Sequence, residues 1–147
     1  MTFQYQKTNS YFAQVANGLE EMAATEIENL GATKVNQRFR GLQFTADAEA
    51  IYRINYGSRL LTRILAPLIS FDCHSTKYLY KTAMGIPWEE LFAPDQTFAI
   101  FSQVSNSAIT HSQYASRKLK DAIVDRFRAK LRRRPNVESK YPDIWFN

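Results

Sequence analysis

At 147 residues and 17.0 kDa, with 45% apolar, 14% aromatic and 22% charged side chains, the chain can bury a core and allows one ordinary domain or two of about 70 residues each. Five Gly, five Pro and a lone cysteine, Cys73, argue against a linker, a low-complexity tail, a disulfide framework or a thiolate zinc site, and fit a reducing cytoplasm. No apolar run approaches the roughly 18–20 residues of a membrane span, and Met1 to Lys7 lack the pattern of a signal peptide, so no membrane partner is expected.

The formal net charge of +5 is unevenly spread. Residues 1–110 hold nine Lys and Arg against ten Asp and Glu, whereas residues 111–140 hold ten against three. A nearly neutral body thus carries one basic segment, the composition that attracts polyanions through counterion release; the plainer alternative is a solvated helix face.

In chain order, Tyr11–Val15 reads as a strand. Leu19, Met22, Ala23, Ile27 and Leu30 then fall on one face of a helix that ends at Gly31, with Glu20 and Glu21 in its first turn. Lys34–Phe39 and Gly41–Thr45 read as two strands joined near Arg40. Asp47 caps a second helix from Ala48 to about Leu60, with Ile51, Tyr52, Ile54 and Leu61 as buried candidates. Arg63–Phe71 reads as a strand that Pro67 places at an edge or bulge. The order β-α-β-β-α-β is the ferredoxin-like pattern, with two helices covering one face of an antiparallel sheet.

In the second half, Ser75 caps a helix through Tyr78, Leu79 and Thr82. Gly85-Ile86-Pro87 breaks it, and a short helix Trp88–Phe92 follows. Thr97–Ser105 reads as a central strand, with Phe98, Ile100 and Val104 facing one way and Ala99 and Phe101 the other. The longest helix runs from Thr110 or Ser112 to Leu131, its apolar stripe formed by Ala115, Leu119, Ala122, Ile123, Phe127 and Leu131. Arg132-Arg133-Arg134-Pro135 ends it, and Pro142–Asn147 reads as the start of a strand. One good strand cannot cover such a helix, so this part is expected to continue beyond Asn147 or to borrow strands.

Catalytic constellations are not evident. Cys73-His74 lacks further ligands, and His111 reads as a loop residue. Gly18 alone precedes the first helix, which leaves no phosphate cradle. Glu20-Glu21 and Glu89-Glu90 are accounted for by helix dipoles. Taken alone, the chain reads as non-catalytic, with no catalytic, cofactor-binding or metal-binding residue of its own.

Binding signals concentrate between Asn106 and Arg134. Arg117, Lys118, Lys120, Arg126, Arg128 and Lys130 avoid the apolar stripe and are expected to face solvent or a partner, with Asp121 and Asp125 pairing locally with Arg117 and Arg128. Arg132, Arg133 and Arg134 have no neighbouring acids and can hold phosphates bidentately. Asn106, Ser112, Gln113 and Tyr114 offer polar donors and a stacking ring beside a helix N-terminus. The candidate nucleic-acid-binding set is therefore Asn106, Ser112, Gln113, Tyr114, Arg117, Lys118, Lys120, Arg128, Arg132, Arg133 and Arg134, with RNA and DNA not distinguished by composition.

Ser112-Gln113-Tyr114, Lys118, the run Lys120-Asp121-Ala122-Ile123-Val124-Asp125, Arg134-Pro135-Asn136-Val137 and Pro142-Asp143-Ile144 resemble the THUMP domain of bacterial large-subunit rRNA guanine-N2 methyltransferases. Phe12-Ala13, Gly18-Leu19-Glu20-Glu21, Glu26 to Ala32 and Ser58-Arg59-Leu60 resemble that family's N-terminal ferredoxin-like portion. The resemblance implies an α+β chain: a ferredoxin-like subdomain over 1–72, then a truncated α/β THUMP domain over 73–147, cut before its last strands. It implies structured RNA, foremost large-subunit rRNA, as partner, together with a C-terminal methyltransferase domain of the same protein in which S-adenosylmethionine binds. Neither that domain's cofactor loop nor its Asn/Asp-Pro-Pro-aromatic motif is present here, and Trp145 stands where relatives imply a basic residue. The alternatives are a tRNA-binding THUMP module and an intramolecular docking module without RNA affinity.

Overall fold

A computed structural model describes residues 2–105, 107 and 109–147. The chain divides into two compact units, Thr2–Phe71 and Asp72–Asn147.

In the first unit, α1 (Gln4–Thr8) precedes β1 (Ser10–Val15), α2 (Glu20–Asn29), β2 (Thr33–Arg38), β3 (Gly41–Thr45), α3 (Ala48–Gly57) and β4 (Leu61–Leu65). The four strands form one antiparallel sheet in the order β2-β3-β1-β4, which is the ferredoxin-like arrangement. Alternation puts Ala13 and Val15 of β1 and Leu42 and Phe44 of β3 in the core. There they join Ala23, Ala24 and Ile27 of α2 with Ala50 and Ile54 of α3. Met22 and Tyr52, expected inside, are exposed. Two small residues, Ala23 and Ala24, occupy the buried face of α2 and bring it close to the sheet, and Ile51 and Ile54 suffice to pack α3.

Local chemistry sets the helix ends. The Asp47 carboxylate accepts the Ala50 N–H at 2.8 Å. Beyond α2, Gly31 has φ +109°, its N–H donates to Glu28 O (3.1 Å), and the Ala32 N–H reaches back to Ile27 O (2.9 Å). That is a Schellman stop, for which glycine is the favoured residue. Glu26 ties α2 to the chain entering β4 by accepting Ser58 Oγ (2.6 Å), Arg59 N (2.8 Å) and Leu60 N (3.2 Å). These hydrogen bonds outweigh the opposing effect of burial and hold its carboxyl below the usual range.

The strand expected over Arg63–Phe71 stops at Leu65. Pro67 has no N–H to give a ladder, and the Pro67 and Leu68 carbonyls instead accept Tyr5 N and Gln4 N, both at 2.9 Å. Those bonds satisfy the first turn of α1, a helix without a periodic signature.

The second unit contains α4 (Thr76–Gly85), a 3₁₀ turn (Trp88–Glu90), β5 (Thr97–Ile100), α5 (Ser112–Leu131), β6 (Asn136–Val137) and β7 (Ile144–Phe146). Ser75 Oγ caps α4 by accepting the Tyr78 N–H at 3.2 Å. β5 is central in a parallel β6-β5-β7 sheet, but it is shorter than the expected Thr97–Ser105. Phe101 N donates to Phe146 O (2.8 Å), the strand ends at Ile100, and Phe101 is exposed. Asp143 pins the start of β7 to β5: its carboxylate accepts Thr97 N (2.7 Å) and Thr97 Oγ1 (2.9 Å), bonds that lower its pKa.

Phe92 is the aromatic hub of this unit, with ring centroids 4.9 Å from Phe127, 5.6 Å from Phe98 and 5.7 Å from Phe146. The buried Trp88 meets Phe146 edge-on at 5.1 Å, and its indole N–H donates to Ala83 O at 2.8 Å. Among the described residues no helix is long and apolar enough to cross a membrane.

The turn from β2 to β3 yields a stability prediction. A Cβ at Gly41 would lie 2.2 Å from Phe12 Cζ and 2.7 Å from the Ala13 carbonyl oxygen, a backbone atom that cannot swing aside. Gly41→Ala is expected to cost about 1–3 kcal/mol in denaturant unfolding, the range for forced overpacking. A variant as stable as the parent would show that the two strands are not this close.

Candidate nucleic-acid interface

The 20 residues of α5 bury Ala115, Ala122, Ile123, Val124 and Phe127. Leu131, the last member of the expected stripe, is exposed because the helix runs past the aromatic cluster before it ends. At the N-terminus His111 provides no side-chain cap; its carbonyl accepts Tyr114 N and Ala115 N, both at 3.1 Å. The helix stops at Arg132, which adopts a left-handed conformation (φ 55°) while its N–H donates to Arg128 O at 3.1 Å. The stop therefore comes three residues before the proline. Pro135 is fully buried, so Arg132, Arg133 and Arg134 span from a fixed cap to a fixed anchor and are themselves exposed.

The predicted residues fall into two groups. Ser112, Gln113, Tyr114, Arg117, Lys118 and Lys120 lie in the first half of α5, while Arg128 and Arg132–Arg134 lie at its end. At 1.5 Å rise per residue the groups are about 20 Å apart along the axis. Asn106 lies outside the described residues. Tyr114 is 47% exposed, and the Lys118 ammonium sits 5.7 Å from its ring centroid.

Ion pairing sorts the cations. Lys120 pairs with Asp121 at 2.6 Å and Arg128 with Asp125 at 3.5 Å. Asp121 was expected to hold Arg117; it turns instead to its neighbour, and Arg117 stays exposed. Asp125 also accepts the Tyr80 hydroxyl at 2.7 Å, a hydrogen bond that raises the tyrosine's pKa. Arg117, Arg132, Arg133 and Arg134 make no ion pair among the described residues, so their full charge faces solvent.

Arg126 does not face out. Its guanidinium grips Glu89 through Nε (3.1 and 3.2 Å) and Nη2 (2.6 Å) and donates to Met84 O at 3.3 Å. The side chains are only 18% and 21% exposed. Arg126 follows Ile123 by three residues and Ala122 by four, which places it on the flank of the buried stripe; that spacing is the signal that marks it as half-buried. Glu89, ascribed above to a helix dipole, is its counter-ion, 37 residues away in sequence.

Beside the N-terminal half of α5 lies an open cavity of about 330 Å³, with Ser102, Gln103, Ser105 and Ser107 on one side and Ala115 and Leu119 on another. Ser116 Oγ donates to Ser102 Oγ at 2.7 Å and fixes the approach of this segment to the helix. The segment between β5 and α5, residues 101–111, contains no glycine. It therefore lacks the close backbone approach by which a strand-to-helix loop closes on a nucleoside cofactor.

The Arg126–Glu89 pair has a pH consequence. Hydrogen bonding from Arg126, opposed by burial, holds the Glu89 carboxyl below its ordinary value. The lowered carboxylate contributes its full stability above the unfolded glutamate value and loses it as pH falls through the folded one. Glu89→Gln is expected to destabilise the second unit by about 1–3 kcal/mol at neutral pH, with the gap from the parent narrowing at acid pH. Thermal melts across pH test this; a gap independent of pH would refute it.

Comparison with known proteins adds family identity to this geometry. The RlmL ferredoxin-like domain matches residues 10–65 and the THUMP domain residues 73–147. The chain is 40% identical over 140 residues to "Putative RNA methyltransferase slr0064" of Synechocystis, covering 95% of this chain but 36% of that protein. Among solved structures it is similar to a "predicted N6-adenine-specific DNA methylase" from Listeria monocytogenes, with TM-score 0.74 and 26% identity over 88% of this chain and 34% of that one. It also shares the fold of SMU.472, "a putative methyltransferase complexed with SAH", with TM-score 0.74 and 20% identity over 97% of this chain and 36% of the other. The chain thus spans about a third of each of these relatives. An exposed arginine run behind a helix packed on a parallel sheet, set in the stretch that the family covers, leads to one conclusion: this chain belongs to the THUMP domain family, with an RlmL-type ferredoxin-like domain ahead of it.

Proposed function

We propose that this chain is an RNA-binding module that holds structured RNA, foremost large-subunit rRNA, for an S-adenosylmethionine-dependent guanine-N2 methyltransferase domain of the full protein. The observation that carries the reading is the exposed Arg132-Arg133-Arg134 run, held between a helix stop and a buried proline with no acid to neutralise it. A backbone held in that way keeps the three side chains together, and guanidiniums can meet phosphates bidentately. Arg117, Lys118 and Tyr114 at the other end of α5 provide a second contact about 20 Å away along the helix. The cofactor and the methyl transfer belong, in this reading, to the other domain.

The test is binding of the 147-residue chain to an rRNA stem–loop, with tRNA as competitor, over a range of salt. Affinity is expected to fall steeply with salt. Reversing Arg132, Arg133 and Arg134 to Glu should weaken binding and reduce the log–log salt slope by about 2–3, with the melting temperature nearly unchanged. Affinity indifferent to salt and to those arginines would overturn the reading. Preferential capture by tRNA would overturn its rRNA part.

A further inference from the structure

The β2–β3 turn carries a different arrangement of charge and aromatic surface. From Thr33 to Thr45 the chain holds Lys34, Arg38 and Arg40 and no acid. At the tip Phe39 is 84% exposed, with the Arg40 guanidinium 5.6 Å from its ring centroid. A phenylalanine left in water forgoes the stabilisation that burial provides, so the ring does little for the fold of its own hairpin.

The tip is nevertheless tightly held. Arg40 sits in the left-handed region (φ 52°), its N–H donates to Glu20 Oε1 at 3.2 Å, and its carbonyl accepts Val15 N at 3.0 Å. Glu20, the acid that meets this turn, gives its other oxygen to the Gly18 N–H at 2.7 Å and so answers backbone rather than the arginine side chains. Gly41 follows with no room for a side chain. On the other flank, the Arg38 guanidinium reaches Gln43 Oε1 and Gln37 O, each at 3.3 Å. A held turn thus presents an exposed aromatic ring with the Arg40 guanidinium beside it, and Arg38, one residue earlier, adds a second cation on the same hairpin.

We infer that this tip is a second RNA contact, in which Phe39 stacks on an unpaired nucleobase and Arg38 and Arg40 meet the flanking phosphates. The inference rests on the RNA reading above but concerns a different unit and different chemistry. An exposed ring with one guanidinium beside it and another on the same hairpin matches an unpaired base and its phosphates, whereas a duplex keeps its bases stacked and out of reach. Holding the turn in advance removes most of the ordering cost of binding. Stacking accepts any base, so the contact provides grip on a loop or strand rather than recognition of a sequence.

The experiment uses the 147-residue chain with two probes, a stem–loop RNA carrying 2-aminopurine in the loop and the same stem as a blunt duplex. Phe39→Leu, which keeps apolar bulk and removes the plane, is expected to weaken stem–loop binding about tenfold, within the range for loss of one base–aromatic stack. It should also abolish the quenching of 2-aminopurine, leave duplex affinity and melting temperature unchanged, and be reversed by Phe39→Trp. If Phe39→Leu binds and quenches like the parent while reversal of Arg132–Arg134 still weakens binding, the stacking contact is overturned and the RNA reading stands. Equal weakening toward both probes also overturns it. Failure of the parent chain to bind either RNA would overturn both.

Discussion

The apolar stripe of α5 governs the electrostatics of the second unit. Ala122, Ile123 and Phe127 are buried beside the aromatic cluster of Phe92, Phe98 and Phe146, and that orientation decides where every charged residue on the helix points. Burial of one large apolar side chain is worth about 1.5–3 kcal/mol, whereas an exposed ion pair contributes about 0–1 kcal/mol, so packing fixes the geometry and the charges adjust. Arg126 lies too near the stripe to escape, and Glu89 neutralises it. Lys120 and Arg128 find acids on their own helix. Without an ion pair among the described residues are Arg117 and Lys118 toward one end and the triple-arginine run at the other. The candidate interface is the residue of charge that the core did not require.

The first unit depends on a more local set of devices. Asp47 and Glu26 accept backbone or hydroxyl donors at a junction between elements, and Gly31 donates its N–H to the last turn of α2, so the β-α-β-β-α-β order is enforced at the corners as well as by the core. The Asp47 cap and the Gly31 stop are visible in sequence because each involves residues a few positions apart, which is why that fold pattern could be read directly, whereas the Glu26 tie joins residues more than 30 positions apart and shows only in the fold. The misreadings have the opposite origin. Helix α1 exists because carbonyls more than 60 positions later accept its first N–H groups, and the same bonds end β4 early. Met22 and Tyr52 obey helical spacing, yet shorter neighbours fill the face they were expected to share.

The candidate site was legible in the same graded way. A run of three arginines before a proline is explicit in the sequence, and its exposure follows from lack of acids nearby. Its tight hold, by a left-handed cap on one side and a buried ring on the other, is a tertiary fact. Glu89 and Arg126 meet across two elements, and Asp121 pairs with Lys120 rather than Arg117, a choice that helical spacing does not rank. The division of the polar and basic set into two groups along α5 needed only the rise of a helix; the cavity walled by Ser102 and Ser105 needed coordinates.

The left-handed turn at Arg132 separates two quantities that usually travel together. A residue with a β-carbon incurs about 1–2 kcal/mol of strain in that conformation, and glycine incurs almost none. The backbone at this point therefore favours the one side chain that carries no charge. Durability and electrostatic pull are opposed at a single position, and a sequence optimised only for resistance to heat would drift away from the cation found there.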